Sequence, residues 1–424
     1  MAAKGPYGST LNAGLLAVVA LCATAIGSLS PRVESQGRPA ASELSGSPTS
    51  QRRLAFEDLE YQGAFRLPRE SANDDNFAFG GSPLAFNPAG PSLFIGSRSH
   101  RLAAVSIPSV VNSGDVNALP FAAYLQGFVD PTEGHLSEIG NDGLGLGALV
   151  VQNSKLYGTG WIYFDAVNGQ RVSHYSHSLQ LNQASFSGWS SVWDAAKSGY
   201  VSGYMALIPT EWQALLGGTA LTGQCCIPIV SRTSFGPAAF AFDLSHIGER
   251  TVAATPLLYY TGDHPTLGQW ERSNDVYGIS TGMGGVAVIA GTRTALFVGR
   301  NGIGPACYGE GTSDQSLAGK PTPDGSIWCY DPVNNYKATH AYPYRFQIWA
   351  YDLNDFVAVK TGKKKPWDVV PYGVWPLELP IVQKDFSMGG IAYDPQRQLI
   401  YISHMNADQD GGAYRPLIHV YHVR

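Results

Sequence analysis

The most regular feature of the chain is a recurring order of glycine, short apolar run, polar turn and second apolar run. Residues 284–300, GGVAVIAGTRTALFVGR, carry it most clearly. Two apolar runs rich in β-branched residues and separated by a tight polar turn are typical of an antiparallel hairpin. Because the same order recurs at long intervals, the sequence predicts an all-β chain built from repeated hairpins.

Five copies of this hairpin are predicted between residues 53 and 424, each followed by one or two further strands. The predicted first and second strands are 80–86 with 93–97, 147–151 with 156–160, 203–208 with 227–231, the two halves of 284–300, and 389–393 with 399–403. A short helix is predicted at 210–217, inside the first turn of the third copy. The fifth copy runs out of chain after three strands, and the strand-like segment 59–67 is predicted to supply its outer strand.

Over residues 54–424 these glycine, strand, turn and strand units resemble secreted bacterial-type β-propellers. The resemblance implies a single all-β domain of five blades, with six or seven blades as the alternative, closed by the N-terminal strand so that sheet edges are removed. The two WD dipeptides of the sequence, at 193–194 and 367–368, do not form a regular series. The resemblance therefore implies an architecture and no particular activity.

The N-terminal segment is predicted to be an export signal followed by a linker. Residues 1–29 contain Lys4 and the apolar run 15–25, which is shorter than the ~20 residues of a spanning helix and is typical of a signal peptide. Residues 30–53 are rich in Ser, Pro, Gly and Arg and are predicted to be a disordered linker. The expected location is periplasmic or extracellular, without stable membrane insertion after cleavage.

Composition agrees with a well-buried β protein and limits the partners. The chain is 44% hydrophobic and 14% charged, against about 25% charged in an average soluble domain. Its formal net charge of −5 argues against nucleic acid as a partner, and we expect a monomer.

Removal of the signal leaves Cys225, Cys226, Cys307 and Cys329, an even number that permits disulfides after export. Cys307 and Cys329 are predicted to close a long loop, 301–344. The adjacent Cys225 and Cys226 are placed before the second strand of the third copy, at the opposite end, as a vicinal disulfide or two thiols.

The candidate site follows from where the second strands end. In a propeller these ends meet around one mouth, and the residues there are Arg98, Trp161, Arg232, Arg300 and His404. Clustered guanidinium groups are costly unless anions compensate them, and tryptophan offers a flat face for a sugar ring. We therefore expect an anionic small molecule or an acidic polysaccharide as ligand. The alternative is that these arginines pair with Asp142, Asp275 or Asp385.

Two classes of function remain open. A carbohydrate-active enzyme on acidic polysaccharide would be a lyase, with an arginine neutralising a uronate and His404 or Tyr308 as base, or a hydrolase. A hydrolase needs two carboxylates, for which Asp142, Asp275 and Glu310 are the candidates. The other class is a non-catalytic binding propeller. Loops that differ between copies favour one central site and hence an enzyme. No metal site or cofactor is identified.

Overall fold

The structure is a computed structural model that describes residues 46–424, apart from 142, 227, 228, 230, 231, 270, 273 and 382–385. The predicted signal peptide and most of the predicted linker lie outside the described residues.

The fold is all-β, as predicted. The strands, in chain order, are Leu59–Arg66 (β1), Leu84–Asn87 (β2), Ser92–Gly96 (β3), Leu102–Ser106 (β4), Tyr124–Val129 (β5), Leu144–Gln152 (β6), Lys155–Ile162 (β7), His174–Ser178 (β8), Ser187–Val192 (β9), Tyr204–Leu207 (β10), Ala220–Gly223 (β11), Ala239–Phe242 (β12), Thr251–Val252 (β13), Ala254–Leu258 (β14), Gly282–Ile289 (β15), Thr294–Gly302 (β16), Cys307–Thr312 (β17), Trp328–Tyr330 (β18), Lys337–His340 (β19), Tyr344–Asp352 (β20), Gly373–Pro376 (β21), Met388–Asp394 (β22), Leu399–Asp410 (β23) and Ala413–Val423 (β24). Thr210–Leu216 (α1) and Leu353–Lys360 (α2) are α-helices. Short 3-10 helices lie at Pro48–Ser50, Phe56–Asp58, Val116–Ala118, His135–Ile139, Ala195–Tyr200, Leu244–His246, Gln315–Leu317 and Pro366–Asp368.

Most of these strands form sheets in which chain neighbours pair antiparallel. The orders are β2-β3-β4-β5, β6-β7-β8-β9, β10-β11-β12-β14, β15-β16-β20-β21 and β22-β23-β24-β1, with β13 added in parallel beside β9. A separate small sheet, β18-β17-β19, lies in the connection between β16 and β20. Each of the five predicted first strands thus begins a sheet of its own.

The N-terminal strand completes the last sheet, as predicted. β1 pairs antiparallel with β24, with Leu59 opposite Val423 and Arg66 opposite Leu417. The other side of β1 is covered, because the Ala64 and Arg66 amides donate to the carbonyls of Val111 and Pro120 at 3.0 and 2.8 Å. This covering protects what would otherwise be an open sheet edge.

The apolar side chains collect between sheets rather than in one central core. Six clusters of buried residues are found among the described residues, and five of them draw their members from two of the five sheets. Representative members are Phe65 with Leu93, Phe94 with Leu156, Val150 with Phe240, Leu221 with Phe297, and Leu296 with Ile400. Every sheet therefore packs against two others, one on each face, as its burial on both sides requires.

The first strands of the five sheets also contact one another in sequence. The contacts run from β2 to β6, β10, β15 and β22, and from β22 back to β2. Glycine makes this approach possible. A Cβ on Gly147 would lie 1.9 Å from the carbonyl oxygen of Ser202, and one on Gly284 would lie 2.3 Å from that of Gly389. The glycines that open the repeated pattern are therefore required where backbones of neighbouring sheets touch.

One predicted strand is wrong. The second strand of the third sheet is Ala220–Gly223 and not 227–231, several of whose residues lie outside the described part of the chain. The helix α1 occupies the turn before this strand, as predicted. The shift brings Cys225 and Cys226 behind the second strand instead of ahead of it.

We expect Gly284→Ala to lower the free energy of unfolding by about 1 to 3 kcal/mol or more, since the added methyl meets a backbone oxygen that no rotamer change can move. Gly90→Ala is the matched control, because nothing lies within 4 Å of the added Cβ there. Urea unfolding of both variants measures the difference. Equal stability of the two would contradict the close-approach argument.

Candidate functional site

We define the upper end of a sheet as the end at which its first strand begins and its second strand ends. In the pairing, Gly282 lies opposite Arg300, Met388 opposite His404 and Leu144 opposite Ile162. The lower end is the opposite one, at the turns between first and second strands. The upper end carries most of the residues predicted to form a site.

Arg300 is the best placed of these residues to meet a ligand. Its guanidinium carbon lies 5.1 Å from the ring centroid of Tyr344, within the range of a cation–π contact. Among the residues that the structure describes, no carboxylate lies within 4.0 Å of it. The side chain is only partly exposed, so its charge is partly desolvated and still available to an anion.

A buried network holds Tyr344 under this guanidinium. The Tyr344 hydroxyl donates to Asp331 Oδ2 at 2.5 Å, and His340 Nδ1 lies 2.8 Å from the same oxygen. The other nitrogen of His340 lies 3.2 and 3.1 Å from the carbonyl oxygens of Gly309 and Tyr336. Both imidazole nitrogens thus face acceptor oxygens, and the contact of His340 with Asp331 joins two buried side chains.

Burial alone would raise the pKa of the Asp331 carboxyl, but its hydrogen bonds reverse the direction. His340, Tyr344 and the backbone amides of Asn334 and Val333 together hold this pKa well below its ordinary value. Burial, with Asp331 adding to it, raises the pKa of Tyr344. The tyrosine therefore stays neutral and acts as a donor that positions its ring.

Aromatic side chains beside Arg300 extend the surface. Trp161 lies with its ring centroid 5.9 Å from that of Tyr163, and its indole Nε1 donates to the Leu146 carbonyl at 3.3 Å. Burial raises the pKa of Tyr163, and Tyr336 adds to that rise, whereas the charge of Arg300 opposes it. Tyr163 therefore interacts electrostatically with both Tyr336 and Arg300. Tyr163 and Tyr336 are 49% and 57% exposed.

The sequence analysis did not select Tyr163, Tyr336 or Tyr344. The signal available in the sequence was an aromatic residue just after a second strand or in the long loop 301–344, a position shared by many tyrosines of this chain. We call Trp161, Tyr163, Arg300, Tyr336 and Tyr344 the upper aromatic cluster.

The other two predicted arginines differ in their surroundings. Arg232 donates from Nε to the Asp165 carbonyl at 3.0 Å and from Nη2 to the Ala166 carbonyl at 2.9 Å. It thus holds the loop that carries Tyr163. Arg98 is exposed, with its guanidinium carbon 5.5 Å from the ring centroid of Phe79.

The predicted catalytic residues that the structure describes lie in different surroundings. His404 is 1% exposed, and its ring packs 5.0 Å from Phe346 and 5.5 Å from His419. Tyr308 is 61% exposed on β17. The Asp275 side chain is 83% exposed, and its Oδ1 lies 3.9 Å from Arg345 rather than from a predicted arginine. Asp142 and Asp385 lie outside the described residues.

Burial and the charge of His404 lower the pKa of His419 to about 3. The interior that His419 shares with His404 thus disfavours the protonated form of His419.

The four described cysteines form two disulfides. Cys307 is bonded to Cys329, with their Cα atoms 5.8 Å apart, which fastens β17 to β18 in the loop above Tyr344. Cys225 is bonded to Cys226. The expectation that this second pair lies at the lower end is wrong, because it follows β11 and so lies toward the upper end.

Among the described residues, no group of three or more His, Cys, Asp or Glu side chains is arranged to hold a metal ion. Within the same part of the chain, no helix is both long and apolar enough to cross a membrane. No protein-family model matches the chain, and a search of curated proteins finds no match. A proposal for its function has to rest on the geometry of the upper end.

We expect Asp331→Asn to lower the free energy of unfolding by about 3 kcal/mol or more at pH 7, because it removes the charged acceptor that the buried His340 and Tyr344 side chains share. The carboxyl has a lower pKa in the folded than in the unfolded chain, so its contribution is present above about pH 4. It is lost as the pH falls through the folded value.

Urea unfolding at a series of pH values measures this effect. The difference between wild type and Asp331→Asn should shrink below about pH 4. Asp314→Asn is the control, because asparagine keeps the cap on the surface turn at Ser316. A stability difference that did not change with pH would contradict the assignment.

Proposed function

We propose that the chain is an exported five-bladed β-propeller whose upper end binds an anionic saccharide. The propeller is supported by the five sheets, by the cyclic contacts of their first strands, and by the apolar clusters between neighbouring sheets. The pairing of β1 with β24 supports closure by the N-terminal strand. Export is supported by the two disulfide pairs, which persist in oxidising compartments.

The observation that carries the ligand class is the partly buried Arg300 on the face of Tyr344, without a carboxylate partner among the described residues. A guanidinium binds a carboxylate or a sulfate through two parallel hydrogen bonds. The exposed Tyr163 interacts electrostatically with both Arg300 and the exposed Tyr336. The flat faces of such aromatic rings suit the apolar face of a sugar ring. One cation flanked by aromatic rings fits an acidic saccharide better than a simple inorganic anion.

Binding without chemistry is the form of the proposal that the geometry favours. A hydrolase needs two carboxylates about 5 to 10 Å apart. Of the predicted acids, Asp275 is largely solvent-exposed beside Arg345 and Glu310 lies on β17, in the small separate sheet. His404 is buried away from solvent.

A lyase acting at the same surface is the second candidate, and one observation favours it. The Tyr163 phenol and the Arg300 guanidinium interact electrostatically. An arginine that neutralises a uronate carboxylate, next to a phenol that takes or returns a proton, is the pair that β-elimination requires. An assay of the purified chain on polyuronates, followed by the ultraviolet absorbance of the unsaturated product, separates the two candidates.

We expect Arg300→Ala to weaken binding of a uronate trisaccharide by about tenfold or more, because it removes a hydrogen bond to a charged group of the ligand. Isothermal titration at constant ionic strength measures it, with a sulfated disaccharide and neutral maltotriose as comparison ligands. Arg250→Ala is the matched control, since Arg250 is exposed and follows β12. Equal affinity in wild type and Arg300→Ala would exclude this site, provided that both fold.

A further inference from the structure

A cavity opens at the lower end, away from the upper aromatic cluster. Its volume is about 370 Å³, and all five first strands contribute to its lining, together with the turns that follow them. One residue from each strand illustrates its character: Phe86, Val150, Ala206, Val288 and Ala392. The wall is therefore mostly apolar, and it is formed by strands that contact one another in sequence.

The size of the cavity fits a small organic molecule. An apolar cavity of about 150 Å³ holds a benzene-sized ligand. A cavity of 370 Å³ has room for a body of about two rings, and it lies within the range of volumes found for ligand sites. Apolar walls without partner atoms forfeit dispersion contacts, which an apolar ligand restores.

The rim adds a polar feature that selects the ligand. Among the described residues that line the cavity, Glu211 is the only one with a charged side chain. It lies in the first turn of α1, the insertion in the third hairpin, and its Oε1 accepts the Gly291 amide at 3.2 Å. This contact ties the carboxylate to the turn of the neighbouring sheet, so it stays at the rim.

We propose that this cavity binds a hydrophobic amine, with its aromatic or aliphatic body between the five first strands and its ammonium at Glu211. The carboxylate supplies a charge-assisted hydrogen bond to the head group, and the apolar walls supply most of the affinity. The site is separate from the upper aromatic cluster and takes a ligand of opposite charge.

The test uses the full chain and three naphthalene probes of nearly equal size. 1-Naphthylmethylamine carries a cation, 1-naphthylmethanol is neutral and 1-naphthoic acid carries an anion. Isothermal titration should give the tightest binding for the amine and the weakest for the acid. An equal response to all three, or no binding of the amine at millimolar concentration, would overturn the proposal and leave the cavity as a solvent-filled channel.

Two variants locate the binding. Glu211→Gln keeps the shape of the side chain and should weaken the amine by about threefold to tenfold, while leaving the neutral alcohol unchanged. Ala206→Phe fills the cavity and should abolish binding of both; if it does not fold, the Glu211→Gln result decides. Amine binding that is unaffected by Glu211→Gln would overturn the role of the carboxylate.

Arg300→Ala serves as the control that separates this proposal from that for the upper end. It should leave binding of the amine unchanged. Loss of saccharide binding with retention of amine binding would support both sites, and loss of amine binding in Arg300→Ala would contradict a separate lower site.

Discussion

The close approach of the five first strands is the constraint on which the rest of the structure depends. At Gly147 and Gly284 the backbone of one sheet meets the backbone of the next with no room for a side chain. This contact sets how near the sheets come at their upper ends. Each sheet then packs a face of apolar side chains against each neighbour, and a cavity of about 370 Å³ opens toward the lower ends. The close contact of the sheets at their upper ends and the cavity toward their lower ends thus both follow from how the first strands approach one another.

The same frame gives the two ends different chemistry. At the upper end three of the second strands, β7, β11 and β16, are followed by long connections, and these carry Tyr163, Arg232 and Tyr336. Arg232 fixes the loop of Tyr163 through two carbonyl contacts, and the Asp331 and His340 pair fixes Tyr344. At the lower end the turns are mostly short and poor in charge, so a single carboxylate contributed by α1 dominates the rim. Position in the hairpin, more than composition, decides where charge lies.

The hairpins could be predicted because their pattern is periodic and local. The apolar runs of β15 and β16 and the polar turn between them are visible in the sequence, as is the strand character of β1. The second strand of the third sheet was misplaced because Ala220–Gly223 is a short segment with small side chains, whereas residues 227–231 contain two isoleucines and a valine. Intrinsic strand preference pointed to the wrong segment, and packing between sheets decided otherwise.

The candidate site was less predictable for a related reason. The ends of second strands gave Trp161, whose ring lies beside that of Tyr163, and Arg300, which lies over the buried ring of Tyr344. The contact of Arg232 with backbone carbonyls depends on the path of a loop, and so does the burial of His404 against Phe346. Loops carry no periodic pattern of apolar residues from which such contacts could be predicted. Tyr163 and Tyr336 lie in connections far apart in the chain. The electrostatic effects of Tyr336 and Arg300 on Tyr163 therefore arise only after the sheets have packed.

The pairing of β1 with β24 shows how one register is selected when the apolar pattern alone would allow several. β1 joins β24 across almost the whole described chain, and a slip of one residue would turn its apolar face to the wrong side. Arg66 is 4% exposed, and Asp408 is fully buried. The guanidinium of Arg66 donates two hydrogen bonds to the Asp408 carboxylate, from Nε at 2.9 Å and from Nη2 at 2.7 Å. A buried ion pair adds little net stability over an apolar pair, but it penalises every register in which one charge lacks its partner. Such a penalty acts where alternation alone is weakest, because the register of β1 shifts between Tyr61 and Gly63, just before this point. Closure of the last sheet therefore rests on apolar burial for its free energy and on the Arg66 and Asp408 pair for its register.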